Sequence, residues 1–161
     1  LGGAVAMSYA LRYPEAVSKL MLVDSAPPEG LKTPEEHYPI IEQYKNDRNL
    51  LKQALGGLLP SLTDDAFFDQ LVDRGMAMNP IAFSGNARAL ARFDYSERTG
   101  EFTKPVLVVV GRKDLLITED VGKKSAAAFP NARFEALDDV GHAVMVEDPP
   151  RFTELLGEFA R

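Results

Sequence analysis

Two short segments, residues 106–110 and 133–137, have the pattern of strands in a parallel sheet. The first is continuous (Val-Leu-Val-Val-Val), as expected for a strand covered on both faces, and Gly111 closes it. The second alternates more strongly between apolar and polar side chains. Between them, residues 118–129 carry helix signals, because Thr118 is a good N-cap, acidic residues fill the first turn and a proline follows the end. The pattern predicts one β-α-β unit.

The N-terminal part continues this alternation of helix and strand. Residues 4–12 predict a helix whose many alanines let it lie close against a sheet, and residues 17–23 predict a third parallel strand. Asp24 follows that strand, while Asp114 and His142 follow the two C-terminal strands. Parallel strands end at the same edge of a sheet, so we expect Asp114 and His142 to emerge side by side.

Residues 29–103 interrupt the alternation with helix signals only. These signals are a capping box at Thr33-Pro34-Glu35-Glu36, an apolar stripe from Leu50 that Gly56-Gly57 should stop, a stripe at Phe67, Phe68, Leu71 and Val72, and a helix started by Asn79-Pro80. A helical insertion between two strands is typical of a cap over a sheet edge, and an ordinary helical subdomain is the alternative. The predicted organisation is core (1–28), cap (29–103) and core (104–161). The candidates for pocket lining are Phe67, Phe68, Met76 and Met78.

Composition narrows the range of partners. The chain has 161 residues, of which 45% are hydrophobic and 26% charged, and no apolar run reaches membrane-spanning length, so we expect a soluble globular protein in the cytoplasm. The net charge of −6 argues against nucleic acid and against an anionic membrane surface as partners, since both attract basic patches. A small-molecule substrate is the remaining expectation, and the oligomeric state stays open.

The cysteine and histidine counts limit the chemistry. The absence of cysteine excludes a disulfide framework, a thiolate metal site and a cysteine nucleophile. With only His37 and His142 in the chain, a histidine-rich metal site is not expected either. We predict neither a metal nor a cofactor, and we assign no chemistry to His37.

The turns at residues 111–116 (GRKDLL) and 140–150 (VGHAVMVEDPP) resemble those that supply the acid and the histidine in cap-bearing α/β hydrolases. The likeness covers nearly the whole chain. It implies an α/β fold with a parallel sheet, flanking helices and an inserted cap, and a Ser-His-Asp triad in which Asp114 is the acid and His142 the general base. It also implies hydrolysis of a small ester, a lactone or a carbon-carbon bond next to a ketone. Asp24 is the alternative acid, since some members of the family place theirs there.

The start of the chain departs from the family pattern. The nucleophile elbow of the family is Gly-x-Ser-x-Gly, whereas the chain opens with Leu1-Gly2-Gly3. If Gly2 is the closing glycine, the nucleophile would precede Leu1, and the N–H of Leu1 would belong to the oxyanion hole. We therefore expect a C-terminal portion of a hydrolase, inactive by itself and with its outermost strand edge uncovered. Ser8 is a poor substitute nucleophile, because a serine two turns into a helix is usually structural.

Two other classes of function stay open at this point. One is a catalytically inactive α/β-hydrolase relative that serves as a binding module. The other is a flavodoxin-like receiver with Asp114 as phosphoacceptor, although a receiver needs further acids beside that aspartate and no inserted cap. Glu147 and Asp148 are adjacent acids at a helix start, which favours a role at the helix dipole over a glycosidase pair.

Overall fold

A three-stranded parallel sheet forms the centre of the fold. The computed structural model describes residues 1–161, with strands β1 (Leu20–Val23), β2 (Val106–Gly111) and β3 (Ala132–Leu137) in that spatial order. All six residues of β2 are buried, as the continuous apolar run predicts for a strand between two neighbours and two helical layers. β1 and β3 form the two edges.

Helices cover both faces of the sheet. Their bounds are α1 (Gly2–Arg12), α2 (Tyr38–Gln43), α3 (Arg48–Leu58), α4 (Asp65–Met76), α5 (Ala82–Arg92), α6 (Glu119–Ala127), α7 (Val144–Glu147) and α8 (Pro149–Ala160), and 3₁₀ turns occupy Pro14–Ala16, Glu35–His37 and Ser96–Glu101. Helices α1 and α6 pack on the face that bears Val106, Val108 and Val110, whereas α7 and α8 pack on the face that bears Leu107 and Val109. The alternation of side chains along β2 therefore divides the core between two layers, and the predicted α/β class with flanking helices is confirmed.

Helix α1 and strand β1 differ slightly from their predicted bounds. The helix already begins at Gly2, and the strand begins at Leu20 rather than at residue 17. Residues before Leu20 follow the 3₁₀ turn, and the Lys104 ammonium donates to the carbonyl oxygens of Pro14 and Val17 at 2.6 and 2.7 Å. These carbonyls face a side-chain donor instead of a neighbouring strand, so the ladder starts later.

Residues 29–103 are mainly helical, as predicted, and form a small core of their own around Leu51, Val72 and Phe83. Two predicted boundaries are wrong. Thr33 does not cap a helix, because Pro34 is extended and a 3₁₀ turn precedes α2. Gly56 and Gly57 do not stop α3, which continues to Leu58. Packing against α4 outweighs the roughly 1 kcal/mol that each helical glycine costs.

The end of β2 and the loop after β3 touch without room for a side chain. A Cβ atom on Gly111 would lie 2.1 Å from the carbonyl oxygen of Gly141 and 2.5 Å from that of Val140. We refer to residues 138–143 as the His142 loop. Its backbone can approach β2 only because residue 111 is glycine.

Replacing Gly111 by alanine should therefore lower the free energy of unfolding by about 1–3 kcal/mol, because the new methyl group meets backbone atoms that must move. Gly157→Ala is the matched control, since nothing lies within 4 Å of its Cβ position. In helix α8 that change should raise the free energy by about 0.5–1 kcal/mol. Urea unfolding of both variants measures this. Equal stability of Gly111→Ala and the parent chain would contradict the close approach.

Candidate active site

The carboxyl ends of the three strands deliver three titratable side chains to one edge of the sheet. Asp24 directly follows β1, Asp114 lies in the turn after β2 and His142 lies in the loop after β3. Residue pairs Val23–Val109 and Gly111–Leu137 are aligned across the parallel ladders, so the three strands end nearly level. The topology thus brings these distant parts of the chain together.

The predicted contact between Asp114 and His142 is present. Oδ2 of Asp114 lies 2.7 Å from Nδ1 of His142, while Oδ1 accepts the backbone N–H of Leu116, also at 2.7 Å. The Asp114 side chain is fully buried, and 32% of the His142 side chain is exposed. Since an ionised carboxylate can only accept, Nδ1 carries the hydrogen and Nε2 is the nitrogen left for a reacting group.

The environment of the pair favours its charged forms. Burial alone would raise the pKa of Asp114, but the hydrogen bonds from His142 and Leu116 outweigh it and hold that pKa below its ordinary value. The same contact with Asp114 raises the pKa of His142 above its ordinary value, against the effect of burial. The site therefore stabilises an imidazolium next to a carboxylate.

Asp24 is buried beside this pair but does not take part in it. Its Oδ1 accepts the N–H of Gly111 at 2.9 Å, its Oδ2 is buried without a hydrogen-bond partner, and its φ of 42° lies in the left-handed region. Burial raises the pKa of Asp24 to about 7, and the nearby charge of Asp114 adds to this effect. His142 Nδ1 faces Asp114 instead, so the geometry favours Asp114 over Asp24 as the partner of His142.

The start of α1 lies near His142. Leu1 immediately precedes the helix, its carbonyl accepts the N–H of Val5, and its amino group is close enough to lower the pKa of His142. Ser8 lies farther along α1, where its hydroxyl donates to the hydroxyl of Tyr95 at 3.1 Å. Ser8 thus has a structural partner, as expected for a serine inside a helix.

The four apolar side chains proposed as pocket lining have two different surroundings. Phe68 and Met76 pack in the core of the helical segment, whereas Phe67 and Met78 are 39% and 38% exposed. An apolar groove of about 370 Å³ lies between α1 and α5, and Leu1 lines it, whereas Asp114 and His142 do not. No group of three or more carboxylate and imidazole side chains is arranged to hold a metal ion, and no helix has the length and apolar character to cross a membrane.

Glu147 is the site residue that sequence reasoning missed. We expected a partner of the helix dipole, but its carboxylate accepts backbone N–H groups of the His142 loop and of Ser61 in the helical segment. No local sequence signal marks it, because Ser61 and Glu147 are far apart in the chain. The contact follows only from the way the helical segment lies on the sheet edge.

Known proteins share this architecture. The protein family described as alpha/beta hydrolase fold matches residues 77–149. The structure of an esterase from Exiguobacterium antarcticum superposes with a TM-score of 0.86 at 22% identity, over 98% of this chain and 62% of that one. The chain has the α/β-hydrolase fold. The structure of an enol-lactonase from Burkholderia xenovorans shares it, with a TM-score of 0.83 at 22% identity, over 99% of this chain and 62% of the other.

A curated relative gives a further comparison. This chain is 31% identical to the 2-hydroxy-6-oxononadienedioate/2-hydroxy-6-oxononatrienedioate hydrolase of Cupriavidus pinatubonensis, over 99% of this chain and 59% of the relative. The chain therefore spans about three fifths of the length of the curated relatives that it matches.

Burial and pairing of Asp114 leave the receiver alternative without support, since a phosphoacceptor must be accessible.

Proposed function

We propose that the chain supplies the acid and the histidine of a serine-type α/β hydrolase, with Asp114 and His142 in those roles. The observation that carries the proposal is the 2.7 Å contact between Asp114 Oδ2 and His142 Nδ1 at the carboxyl edge of the sheet. A histidine whose Nδ1 is held by a buried carboxylate presents Nε2 as a general base. The arrangement fits acyl transfer to water through a covalent serine ester.

In the proposed mechanism, the nucleophile is a serine that precedes Leu1 in the parent protein. The position of Leu1 directly before α1 supports this, because the elbow of such hydrolases places the nucleophile in the turn between a strand and a helix. His142 Nε2 takes the proton of the serine hydroxyl while the serine oxygen attacks the substrate carbonyl. His142 then gives that proton to the leaving group. A water molecule that His142 activates in the same way then attacks the serine ester. The product acid leaves, and the serine hydroxyl regains its proton. Asp114 holds the Nδ1–H tautomer and stabilises the imidazolium, which agrees with the raised pKa of His142.

The oxyanion of the tetrahedral intermediate needs donors of its own. In the proposal, the backbone N–H of Leu1 is one of them. Removal of such a donor costs a typical hydrolase about 3 kcal/mol of transition-state stabilisation. The position of Leu1 at the N-terminal end of α1 supports this role, because the helix dipole favours negative charge there.

The proposed substrate is a small ester, a lactone or a compound with a carbon-carbon bond next to a ketone. The 31% identical relative is named as a hydrolase of a hydroxy-oxo diacid, which supports a carbonyl compound as substrate. Residues 29–103 would act as the cap of the site. The contact of this segment with the His142 loop, through Leu58 and Ser61, supports that role.

The decisive experiment compares the chain with a version extended upstream through a serine elbow and the preceding strands. We expect the extended protein to hydrolyse a chromogenic short-chain ester, and the 161-residue chain to show no turnover above the buffer rate. The physical reason is that His142 has no hydroxyl to activate in the short chain. Initial rates at equal protein concentration give the measurement.

Two outcomes would contradict the proposal. Comparable activity of the two proteins that survives His142→Ala would show that other residues perform the hydrolysis. A folded, extended protein without activity on esters, lactones and β-diketones would instead support the inactive binding module.

A further inference from the structure

The loop between α3 and α4 lies directly on the His142 loop. We call residues 59–64 the α3–α4 loop. The backbone N–H of His142 donates to the carbonyl of Leu58 at the end of α3, at 2.8 Å. A Cβ atom on Gly141 would lie only 2.5 Å from Pro60 and 2.6 Å from the Leu58 carbonyl. The backbone at His142 and at the preceding Gly141 is therefore in contact with the helical segment.

One carboxylate connects these two loops. Glu147 accepts the N–H of Gly141 at 2.9 Å, the N–H of Ala143 at 3.2 Å and the N–H of Ser61 at 3.0 Å. Gly141 and Ala143 are the neighbours of His142 on either side, whereas Ser61 belongs to the α3–α4 loop. A single carboxyl side chain thus fixes the backbone before and after the imidazole and attaches it to a segment about eighty residues away in sequence.

Glu147 suits this task because of its chemistry and its location. An ionised carboxylate offers two oxygens that only accept, so it can satisfy several N–H donors at once. A glutamine has one accepting oxygen, and its NH₂ group would face a donor. Glu147 ends the short helix α7, directly after the His142 loop, so its side chain reaches back over that loop.

We infer that Glu147 is a positioning residue that holds His142 against Asp114 and couples the position of the imidazole to that of the helical segment. The inference rests on the proposed function for its catalytic meaning, but its physical content concerns only the geometry of His142. When the end of α3 and the α3–α4 loop move, the carbonyl of Leu58 and the N–H of Ser61 move with them. The His142 loop has to follow or lose these bonds.

The test measures the imidazole directly. The chain has two histidines, so a His37→Gln background leaves His142 as the only imidazole in an NMR spectrum. In this background we compare Glu147→Gln with Glu158→Gln, a matched change at an exposed position of α8. The readouts are the His142 pKa, its ring tautomer and the hydrogen exchange of the backbone amides of Ser61, Gly141 and Ala143.

Glu147→Gln is expected to lower the pKa of His142 towards its ordinary value, to weaken the signal of the hydrogen-bonded Nδ1–H, and to speed exchange of the three amides about tenfold or more. Glu158→Gln should change none of these. Glu147→Asp keeps the charge but shortens the side chain, so it should give intermediate values. If Glu147→Gln does not fold, the same readouts are compared between Glu147→Asp and Glu158→Gln, and a change in Glu147→Asp alone supports the inference.

Faster amide exchange with an unchanged His142 pKa and tautomer would show that Glu147 is only structural, and the inference would be wrong. An unchanged set of amides would also overturn it. These readouts need no enzymatic turnover. A failure of the extended protein to hydrolyse esters therefore contradicts the proposed function and leaves this result as it stands.

Discussion

Asp114→Asn and His142→Ala should each lower the esterase rate of the extended protein by about 10³–10⁴-fold. His142→Ala removes the base that takes the serine proton. Asp114→Asn keeps the shape of the side chain, but its amide can donate to Nδ1 and so favours the wrong imidazole tautomer. The buried position of Asp114 makes this effect large, because water cannot replace the carboxylate.

The measurement is kcat/KM on a chromogenic ester, with far-UV circular dichroism as a check of folding. Asp139→Asn and His37→Gln are the matched controls, since Asp139 has a 96% exposed side chain and His37 is exposed. Both should retain the parent rate within about twofold. Full activity of Asp114→Asn, together with a large loss in Asp24→Asn, would transfer the role of the acid to Asp24.

The pairing of Asp114 with His142 could be predicted because it depends on few, strong signals. The apolar run of β2 specifies a central strand, and the helix pattern after it specifies a parallel crossover. Both strand ends must then lie at one edge, whatever the details of the loops. The 2.7 Å contact needs only these two facts and the identities of the two residues.

The contacts that support the imidazole could not be predicted in the same way. Leu58 and Ser61 reach the His142 loop only because α3 continues through Gly56 and Gly57, whereas the local sequence pattern predicts that the helix ends there. Packing decided that boundary, and local propensity did not. Glu147 had the ordinary pattern of an acid near a helix terminus, and its N–H donors come partly from a segment whose position no sequence pattern gives.

The sequence predicts the position of Asp24 at a strand end, but it does not predict that the side chain is buried. A turn aspartate before prolines is usually exposed, yet Asp24 is 5% exposed and one of its oxygens lacks a hydrogen-bond partner. Such a group costs free energy when it ionises in the native state. The consequence for stability can be measured.

Asp24→Asn should therefore remove much of the decrease in stability that we expect for the parent chain between about pH 4 and pH 8. Burial raises the pKa of Asp24 from 3.8 to about 7, with Asp114 and Glu147 adding repulsion and His142 opposing it. In this interval the native state keeps a proton that the unfolded chain releases, so the free energy of unfolding falls as the pH rises. A shift of about three pKa units corresponds to about 4 kcal/mol across the interval.

Asparagine fits the same place without a charge. Its oxygen can accept the N–H of Gly111, and it tolerates the left-handed backbone at φ 42°. The variant should have a stability close to that of the parent chain at about pH 4 and exceed it at about pH 8 by up to about 4 kcal/mol. Urea unfolding at several pH values gives the free energy of unfolding of each protein as a function of pH. The curve of Asp139→Asn, a change at a 96% exposed position, should run parallel to that of the parent. If Asp24→Asn also runs parallel to the parent, Asp24 ionises in the native state without cost, and its buried oxygen must be stabilised by water.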